Sequence, residues 1–141
     1  MILYLDTSAL FKLYVDEAGS DAVHAAVAAA ESVAVCRIAW AEAMSALARR
    51  GREVPADQES LDFAKQSLSN DWPRYLVMEV SQQVVELAGE LADTFALRGY
   101  DSVQLASASL ANELGQVTFA SFDKRLNKAA KVLGLGILAT A

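Results

Sequence analysis

Four acidic residues are the strongest candidates for chemistry in this sequence: Asp6, Glu42, Asp101 and Asp123. Asp6 directly follows the apolar run Ile2–Leu5, and Asp123 comes three residues after the apolar run Val117–Ala120. Carboxylates that lie together repel one another, at a cost of about 4 kcal/mol for a pair ~4 Å apart at an effective dielectric constant of ~20. Protonation, an Arg or Lys side chain, or a divalent cation must offset this repulsion. Carboxylate oxygens and water are the ligands that Mg²⁺ and Mn²⁺ prefer, so the acids together suit a site for either ion.

Each acid also has a purely structural interpretation. Asp is a favoured N-cap residue, so Asp6 could simply cap the helix that follows it. Asp101 opens the sequence Asp-Ser-Val-Gln, which resembles a capping box in which Gln104 reaches back to the start of the helix. Asp123 could complement the helix dipole in a first turn. Glu42 lies opposite the apolar side of its own predicted helix, which indicates a solvent-facing residue or one at the rim of a cleft.

Short apolar runs predict the strands that would position these acids. Each run is bounded by polar residues or glycine, as in parallel strands that are covered on both faces. The runs are Ile2–Leu5, Val33–Cys36, Val117–Ala120 and Gly136–Ala139, with a less regular one near Leu76–Val80. Strands that alternate with helices imply right-handed βαβ units and an open, mostly parallel sheet. Ligands of such sheets bind beyond the carboxyl ends of the strands, which is where Asp6 falls.

Apolar residues at helical spacing predict helices between these strands. Ser81 is a suitable cap for one helix, with Gly99 as its stop, and another helix runs from Asp101 to Gly115. Further helices are predicted over about Ile38–Arg50, from Pro55 until Pro73 bars continuation, and after Ser121.

Composition places limits on the protein class. The 141 residues fit one domain over 1–141, and 54% of them are hydrophobic, which allows a substantial core. The net charge of −6 taken alone argues against binding of nucleic acid, although local basic patches and bound cations can override that argument. The single cysteine, Cys36, lies in an apolar run, which favours a buried thiol and a reducing compartment. No apolar run approaches the ~20 residues of a membrane helix and no signal peptide is evident, so we expect a cytoplasmic protein without membrane contact.

Other catalytic chemistries have little support in the sequence. The only histidine, His24, lies in an alanine-rich helical stretch, which favours a surface or packing role. One histidine and one cysteine cannot build a His/Cys zinc site, and nothing indicates a Ser-His-Asp triad. No Walker-type loop or dinucleotide-binding glycine pattern occurs.

Four segments together resemble a known family. They are "YLDTSAL" at the start, "AWAEAMSALAR" around Glu42, "LRGYDSVQLASA" around Asp101 and "TFASFDKRL" around Asp123. In this order, and in a chain of this length, they resemble the PIN-domain ribonucleases, particularly the VapC-like toxins of bacterial toxin–antitoxin pairs. The resemblance covers essentially the whole chain. Two mild departures are Ser102, where the family usually has Ala, and Ser121, where it often has Thr.

The resemblance implies a three-layer α/β/α sandwich with a short, mostly parallel central sheet. It also implies metal-dependent cleavage of RNA by an acidic site of Asp6, Glu42, Asp101 and Asp123. Asp6 and Asp101 would be the principal ligands of Mg²⁺ (or Mn²⁺), and the hydroxyls of Ser8 and Ser121 would support the pocket. The implied partners are an RNA substrate, a second copy in a homodimer, and a small antitoxin whose C-terminal segment covers the site.

Alternatives remain open at the level of sequence. The chain could be a non-catalytic PIN-like module that binds RNA or protein, or a structure-specific DNA nuclease that uses the same acids. Two basic clusters could contact phosphates or could be solvated faces. One comprises Arg49, Arg50 and Arg52, and the other comprises Lys124, Arg125, Lys128 and Lys131.

Overall fold

The computed structural model describes residues 1–139 as five strands and seven α-helices that largely alternate along the chain. The strands are β1 (Ile2–Leu5), β2 (Ser32–Cys36), β3 (Leu76–Met78), β4 (Val117–Ala120) and β5 (Gly136–Ile137). The helices are α1 (Thr7–Tyr14), α2 (Ser20–Ala29), α3 (Ala39–Glu53), α4 (Gln58–Asp71), α5 (Gln82–Phe95), α6 (Gly99–Ala111) and α7 (Lys124–Val132). Short 3₁₀ turns at Pro55–Asp57 and Trp72–Arg74 flank α4.

All five strands are parallel, in the order β3-β2-β1-β4-β5. β1 is therefore central, and its four residues are all buried. Alternate side chains enter opposite cores, as the two-residue period of a strand requires. Tyr4 and Phe119 pack against α5, α6 and α7, while Leu3 and Leu5 pack against α1 and α3. The three-layer α/β/α prediction is thus confirmed.

The bounds of the elements show where local signals succeeded. The predicted limits of β1 and β4 match the structure, and Ser81 caps α5 by accepting a hydrogen bond from the Val84 amide at 3.3 Å. β5 ends at Ile137, two residues earlier than predicted. None of the helices in the described part of the chain is long and apolar enough to cross a bilayer.

Two predicted helix boundaries were wrong. α5 ends at Phe95 with Ala96 in the left-handed region at φ 54°, so Gly99 does not stop it. Gly99 instead begins α6, which ends at Ala111, before Gly115. As a result, Asp101 lies within the first turn of α6 and is not its N-cap.

Replacing either of two glycines by alanine should change the free energy of unfolding, in opposite directions at the two positions. Gly19 precedes α2 at φ +96°, and a Cβ there would lie 2.8 Å from Cζ of Phe122. We expect Gly19→Ala to lower the free energy of unfolding by at least about 1 kcal/mol, from backbone strain and the clash. Gly89 lies exposed within α5 with open space around it, so Gly89→Ala should raise that free energy by about 1 kcal/mol. Urea unfolding of both variants measures the difference, and equal effects of the two would contradict it.

Candidate active site

Asp6 follows the central strand and is buried, with 4% of its surface exposed. Its Oδ1 accepts hydrogen bonds from the Ser8 hydroxyl at 2.7 Å and from the Ala9 amide at 3.0 Å. The second of these bonds makes Asp6 the N-cap of α1, so the structural interpretation of this residue is correct. It does not account for the burial, since a cap needs only one accepting oxygen and tolerates exposure to water.

The surroundings of Asp6 oppose its ionisation. Burial raises the pKa of the Asp6 carboxyl, and hydrogen bonds from Ser121, Ser8 and the Ala9 amide act in the other direction. The negative charge of Asp101 raises the pKa of Asp6 further. These two predicted site residues therefore lie close enough to repel each other. A cation beside them would lower the free energy of both ionised forms.

Asp101 is held by a neighbour on its own helix. The Arg98 guanidinium Nε donates to Asp101 Oδ2 at 3.0 Å. The Arg98 side chain is 83% exposed and that of Asp101 is 25% exposed, so the pair sits at the mouth of the site. Asp101 can thus exchange its ion pair with Arg98 for another cation without unfolding any part of α6.

Glu42 does not face bulk solvent, and of the two positions that the helical wheel allows it is closer to the rim of a cleft. It is half-buried in the first turn of α3, and its Oε1 accepts from the Thr7 hydroxyl at 2.7 Å and from Gln104 Nε2 at 3.0 Å. The wheel describes only the helix's own faces. It cannot show that the start of α1 and the side of α6 meet this turn at the end of the sheet.

Gln104 is the residue whose role the sequence misassigned. The capping-box pattern predicts that it reaches back to the start of α6, but it accepts instead from the Tyr4 hydroxyl at 2.7 Å. Its Nε2 donates to both Thr7 and Glu42 at 3.0 Å. Since Gln104 is three residues after Asp101, both project from one helical face, and this spacing is the signal that could have placed it near the site.

Asp123 is the N-cap of α7 rather than a first-turn residue. Its Oδ1 accepts from the amides of Arg125 at 2.9 Å and Leu126 at 3.2 Å. Asp123 and Asp101 face one open cleft of about 390 Å³, whose other lining residues are Arg98, Lys124 and Arg125. The structure therefore brings Asp123 to the same mouth as Asp101.

Two serines connect the loops that carry these acids. Ser8 Oγ donates to Asp6 and accepts from the Phe122 amide at 3.0 Å, which ties α1 to the loop after β4. The buried Ser121 Oγ accepts from the Asp123 amide at 3.0 Å. Ser102, the departure next to Asp101, donates to the Gly99 carbonyl at 2.7 Å within its own helix. It therefore leaves the acids undisturbed.

The donor set suits a hard divalent cation held by few protein ligands. Among residues 1–139, no three His, Cys, Asp or Glu side chains lie close enough to enclose an ion. Mg²⁺ commonly keeps several waters and binds through one or two carboxylates together with substrate phosphate. The Asp6–Asp101 pair fits that mode, and the chemistry of its oxygens fits Mn²⁺ equally well.

Comparisons with known proteins place this geometry in context. Residues 3–132 match the family described as PIN domain. Ribonuclease VapC45 of Mycobacterium tuberculosis (strain CDC 1551 / Oshkosh) is 33% identical over 133 residues, 94% of this chain and 92% of that protein. Ribonuclease VapC46 of Mycobacterium tuberculosis (strain ATCC 25618 / H37Rv) is 32% identical over 138 residues, 97% of this chain and 96% of that protein.

Solved structures agree on the fold. FitAcB from Neisseria gonorrhoeae superposes with a TM-score of 0.72 at 18% identity, covering 99% of this chain and 98% of that one. VapC20 of Mycobacterium tuberculosis, described as a Sarcin-Ricin loop cleaving toxin, gives a TM-score of 0.67 at 18% identity. That match covers 90% of this chain and 94% of VapC20.

The buried Tyr4–Gln104 bond can be tested by a double-mutant cycle. Gln104→Leu leaves the fully buried Tyr4 hydroxyl without its acceptor, so we expect a loss of about 1–3 kcal/mol in the free energy of unfolding. Tyr4→Phe removes that hydroxyl, and the double variant should therefore be more stable than the sum of the single changes predicts. Chemical unfolding of the four proteins gives the coupling energy. A coupling of zero would show that Gln104 does not support Tyr4.

Proposed function

The chain belongs to the VapC ribonuclease family of PIN-domain proteins, and from this premise we propose that it is a metal-dependent endoribonuclease and the toxin of a toxin–antitoxin pair. The observation that supports the metal dependence is the burial of Asp6 at the carboxyl end of the central strand, where the charge of Asp101 also raises the pKa of Asp6. A divalent cation at this place would offset the repulsion between the two carboxylates. The same ion would activate water and neutralise charge on a scissile phosphodiester.

We assign Asp6 and Asp101 as the residues that hold Mg²⁺ or Mn²⁺. When bound, the ion supplies an activated water and neutralises charge at the scissile phosphate. The Asp6 carboxylate is the rigid ligand of the proposed site, because hydrogen bonds from Ser8 and Ala9 of α1 fix its orientation. Asp101 gives it an adjustable side, because its partner Arg98 is exposed and free to turn toward a substrate phosphate.

Glu42 and Asp123 orient water on either side of this pair in the proposed site. The hydrogen bonds that described residues donate to Glu42 both reach Oε1, and those to Asp123 both reach Oδ1. Each carboxylate is thus fixed through one oxygen, and its other oxygen is available to accept a hydrogen bond from water. Fixed side chains are what a catalytic site requires, because misplacement of a reacting group by even 1 Å is costly. Attack by water on the phosphorus, with the 3′ oxygen as the leaving group, would give products with 5′-phosphate and 3′-hydroxyl ends.

The partners we propose are an RNA substrate, a second copy of the chain in a homodimer, and a cognate antitoxin that covers the acidic site in the cytoplasm. Structural neighbours described as a toxin–antitoxin complex from Klebsiella pneumoniae and as VapBC2 from Rickettsia felis bound to a promoter fragment support the antitoxin. The open, charged mouth formed by Arg98, Asp101 and Asp123 is a surface that a basic or acidic peptide segment can cover.

RNA cleavage by charge-removing variants tests the assignment. Asp6→Asn and Asp101→Asn keep the shape of each side chain but remove its charge. We expect each to lower the cleavage rate in Mg²⁺ or Mn²⁺ by more than about 100-fold, the upper end of the loss expected from a merely supporting residue. Gel analysis of a labelled RNA, with and without chelator, measures the rates.

Asp93→Asn is the matched control for cleavage, since Asp93 is an exposed acid on α5. It should leave the rate unchanged. Wild-type protein that retains RNA without cutting it in either metal would favour a non-catalytic binding module. Cleavage of DNA in place of RNA would favour a DNA nuclease that uses the same acids.

Metal binding can be measured without catalysis. A ligand that binds only the folded state stabilises it, by about 2.7 kcal/mol at a concentration 100 times its Kd. We therefore expect Mg²⁺ to raise the melting temperature of the wild type and of Asp93→Asn, and to raise that of Asp6→Asn much less. Calorimetry or a dye-based melt detects the shift. Equal shifts in all three proteins would remove Asp6 from the metal site.

A further inference from the structure

Salt bridges divide the basic residues of the chain into two groups. Seven of the 12 Lys and Arg side chains lie within 4.0 Å of a carboxylate oxygen of the described residues: Lys12, Arg37, Arg49, Arg50, Lys65, Arg74 and Arg98. Four of the other five are on α7, and they are Lys124, Arg125, Lys128 and Lys131. All four are exposed, and α7 itself contains no acidic residue.

Helix stability does not explain this concentration of charge. Cations stabilise a helix near its C-terminus, as Lys131 does, but oppose the helix dipole in the first turn. Lys124 and Arg125 occupy the first two positions of α7, where acidic residues are favoured. Four like charges within nine residues also repel one another. No acidic residue within α7 offsets this repulsion, and no salt bridge joins these four cations to a carboxylate of residues 1–139.

The position of α7 connects these cations to the candidate active site. α7 begins directly after its cap Asp123, and Lys124 lines the cleft that Asp101 and Asp123 face. Lys124 also lines a second open cavity of about 510 Å³, together with Lys128 and Lys131. The two cavities therefore share Lys124 as a common wall.

The second cavity combines a basic rim with an apolar floor. Lys124, Lys128 and Lys131 follow an i, i+4, i+7 spacing, so they project from one face of α7 and span about 10 Å along its axis. The floor is formed by Leu135, directly before the edge strand β5, and by Ile137 within that strand. A purely inorganic anion would not need an apolar floor, whereas a nucleotide offers both a phosphate and a base.

We propose that this α7 face, Lys124, Lys128 and Lys131 above Leu135 and Ile137, is the track that binds single-stranded RNA next to the scissile phosphate. The proposal rests on the ribonuclease function proposed above and names how its substrate is held. The lysines contact successive phosphates, and the apolar floor receives the face of an unstacked base. A duplex fits poorly, because its bases are stacked inside the helix and cannot enter the cavity.

The arginine cluster on α3 is the natural comparison. Arg49 pairs with Glu53 at 2.9 Å, and Arg50 lies within 4.0 Å of Glu17 and Asp57. Of this cluster, only Arg52 lacks a carboxylate partner among the described residues. Arg49 and Arg50 are already paired with carboxylates of the protein, so a phosphate contact at either would release fewer counterions than a contact at the α7 lysines.

Salt-dependent RNA binding tests the track. Lys128→Gln/Lys131→Gln and Arg49→Gln/Arg52→Gln each remove two positive charges from exposed helical positions. Both pairs are made in the Asp101→Asn background, so that bound RNA stays intact. Fluorescence anisotropy of a short labelled single-stranded RNA is measured over a range of KCl concentrations. For single strands, the slope of log K against log salt is about −0.7 per phosphate contact.

The lysine pair should weaken binding and make the slope less negative by about 1.4, while the arginine pair should leave the slope unchanged. An unchanged slope in the lysine pair would overturn the proposal, as would equal changes in the two pairs, which would reflect net charge alone. Unlabelled duplex of the same sequence should compete poorly, and equal competition would overturn the single-strand assignment. Binding does not require cleavage, so a failure of the track and a failure of the ribonuclease function are separate results.

Discussion

The burial of the Asp6 carboxylate at the end of the central strand is the constraint on which the site depends. β1 has neighbours on both sides and helices on both faces, so a residue at its carboxyl end has little access to water. A buried carboxylate must be hydrogen-bonded or neutralised. The donors come from α1 through Ser8 and Ala9, and Ser8 accepts in turn from the Phe122 amide in the loop after β4. Solvating one charge therefore fixes the two loops that flank the mouth of the site.

The same requirement extends outward through polar contacts between elements that are distant in sequence. Tyr4 presents a buried hydroxyl to Gln104, which is 100 residues away, and Gln104 in turn fixes Thr7 and Glu42. The ring of Tyr4 stacks on Phe119 at 5.7 Å, so its hydroxyl is held by packing as well. The orientation of the Glu42 carboxylate therefore depends on the packing of Tyr4 in the core, through Gln104. A site built on rigid elements in this way holds its acids in place before any substrate arrives.

Sequence patterns correctly predicted the features that depend on residues close together in the chain, such as strand limits and a helix cap. Apolar runs located β1 and β4, and a serine in the right place located the start of α5. The wheel could not decide between solvent and a cleft rim for Glu42, and the capping-box pattern misassigned Gln104. The reason is shared, since each residue bonds to side chains that the sheet brings there from other elements. The end of α5 was missed because Ala96 adopts a left-handed conformation that its side chain does not favour. The order of the four acids along the chain made them candidates, and their role stays a prediction, while their hydrogen bonds required the fold.

Net charge proved a poor guide to electrostatics at the site. The value of −6 describes the whole chain, but within residues 1–139 carboxylates pair with most cations and leave those of α7 without a carboxylate partner. An acidic site repels the phosphates that it must approach, and this repulsion is strongest before a metal ion binds. The cations of α7, the helix that begins directly after Asp123, offset this repulsion of phosphates next to the site. The first turn of α7 opposes its own dipole, so we infer that this helix is arranged for an anion outside the protein and at some expense to its own stability.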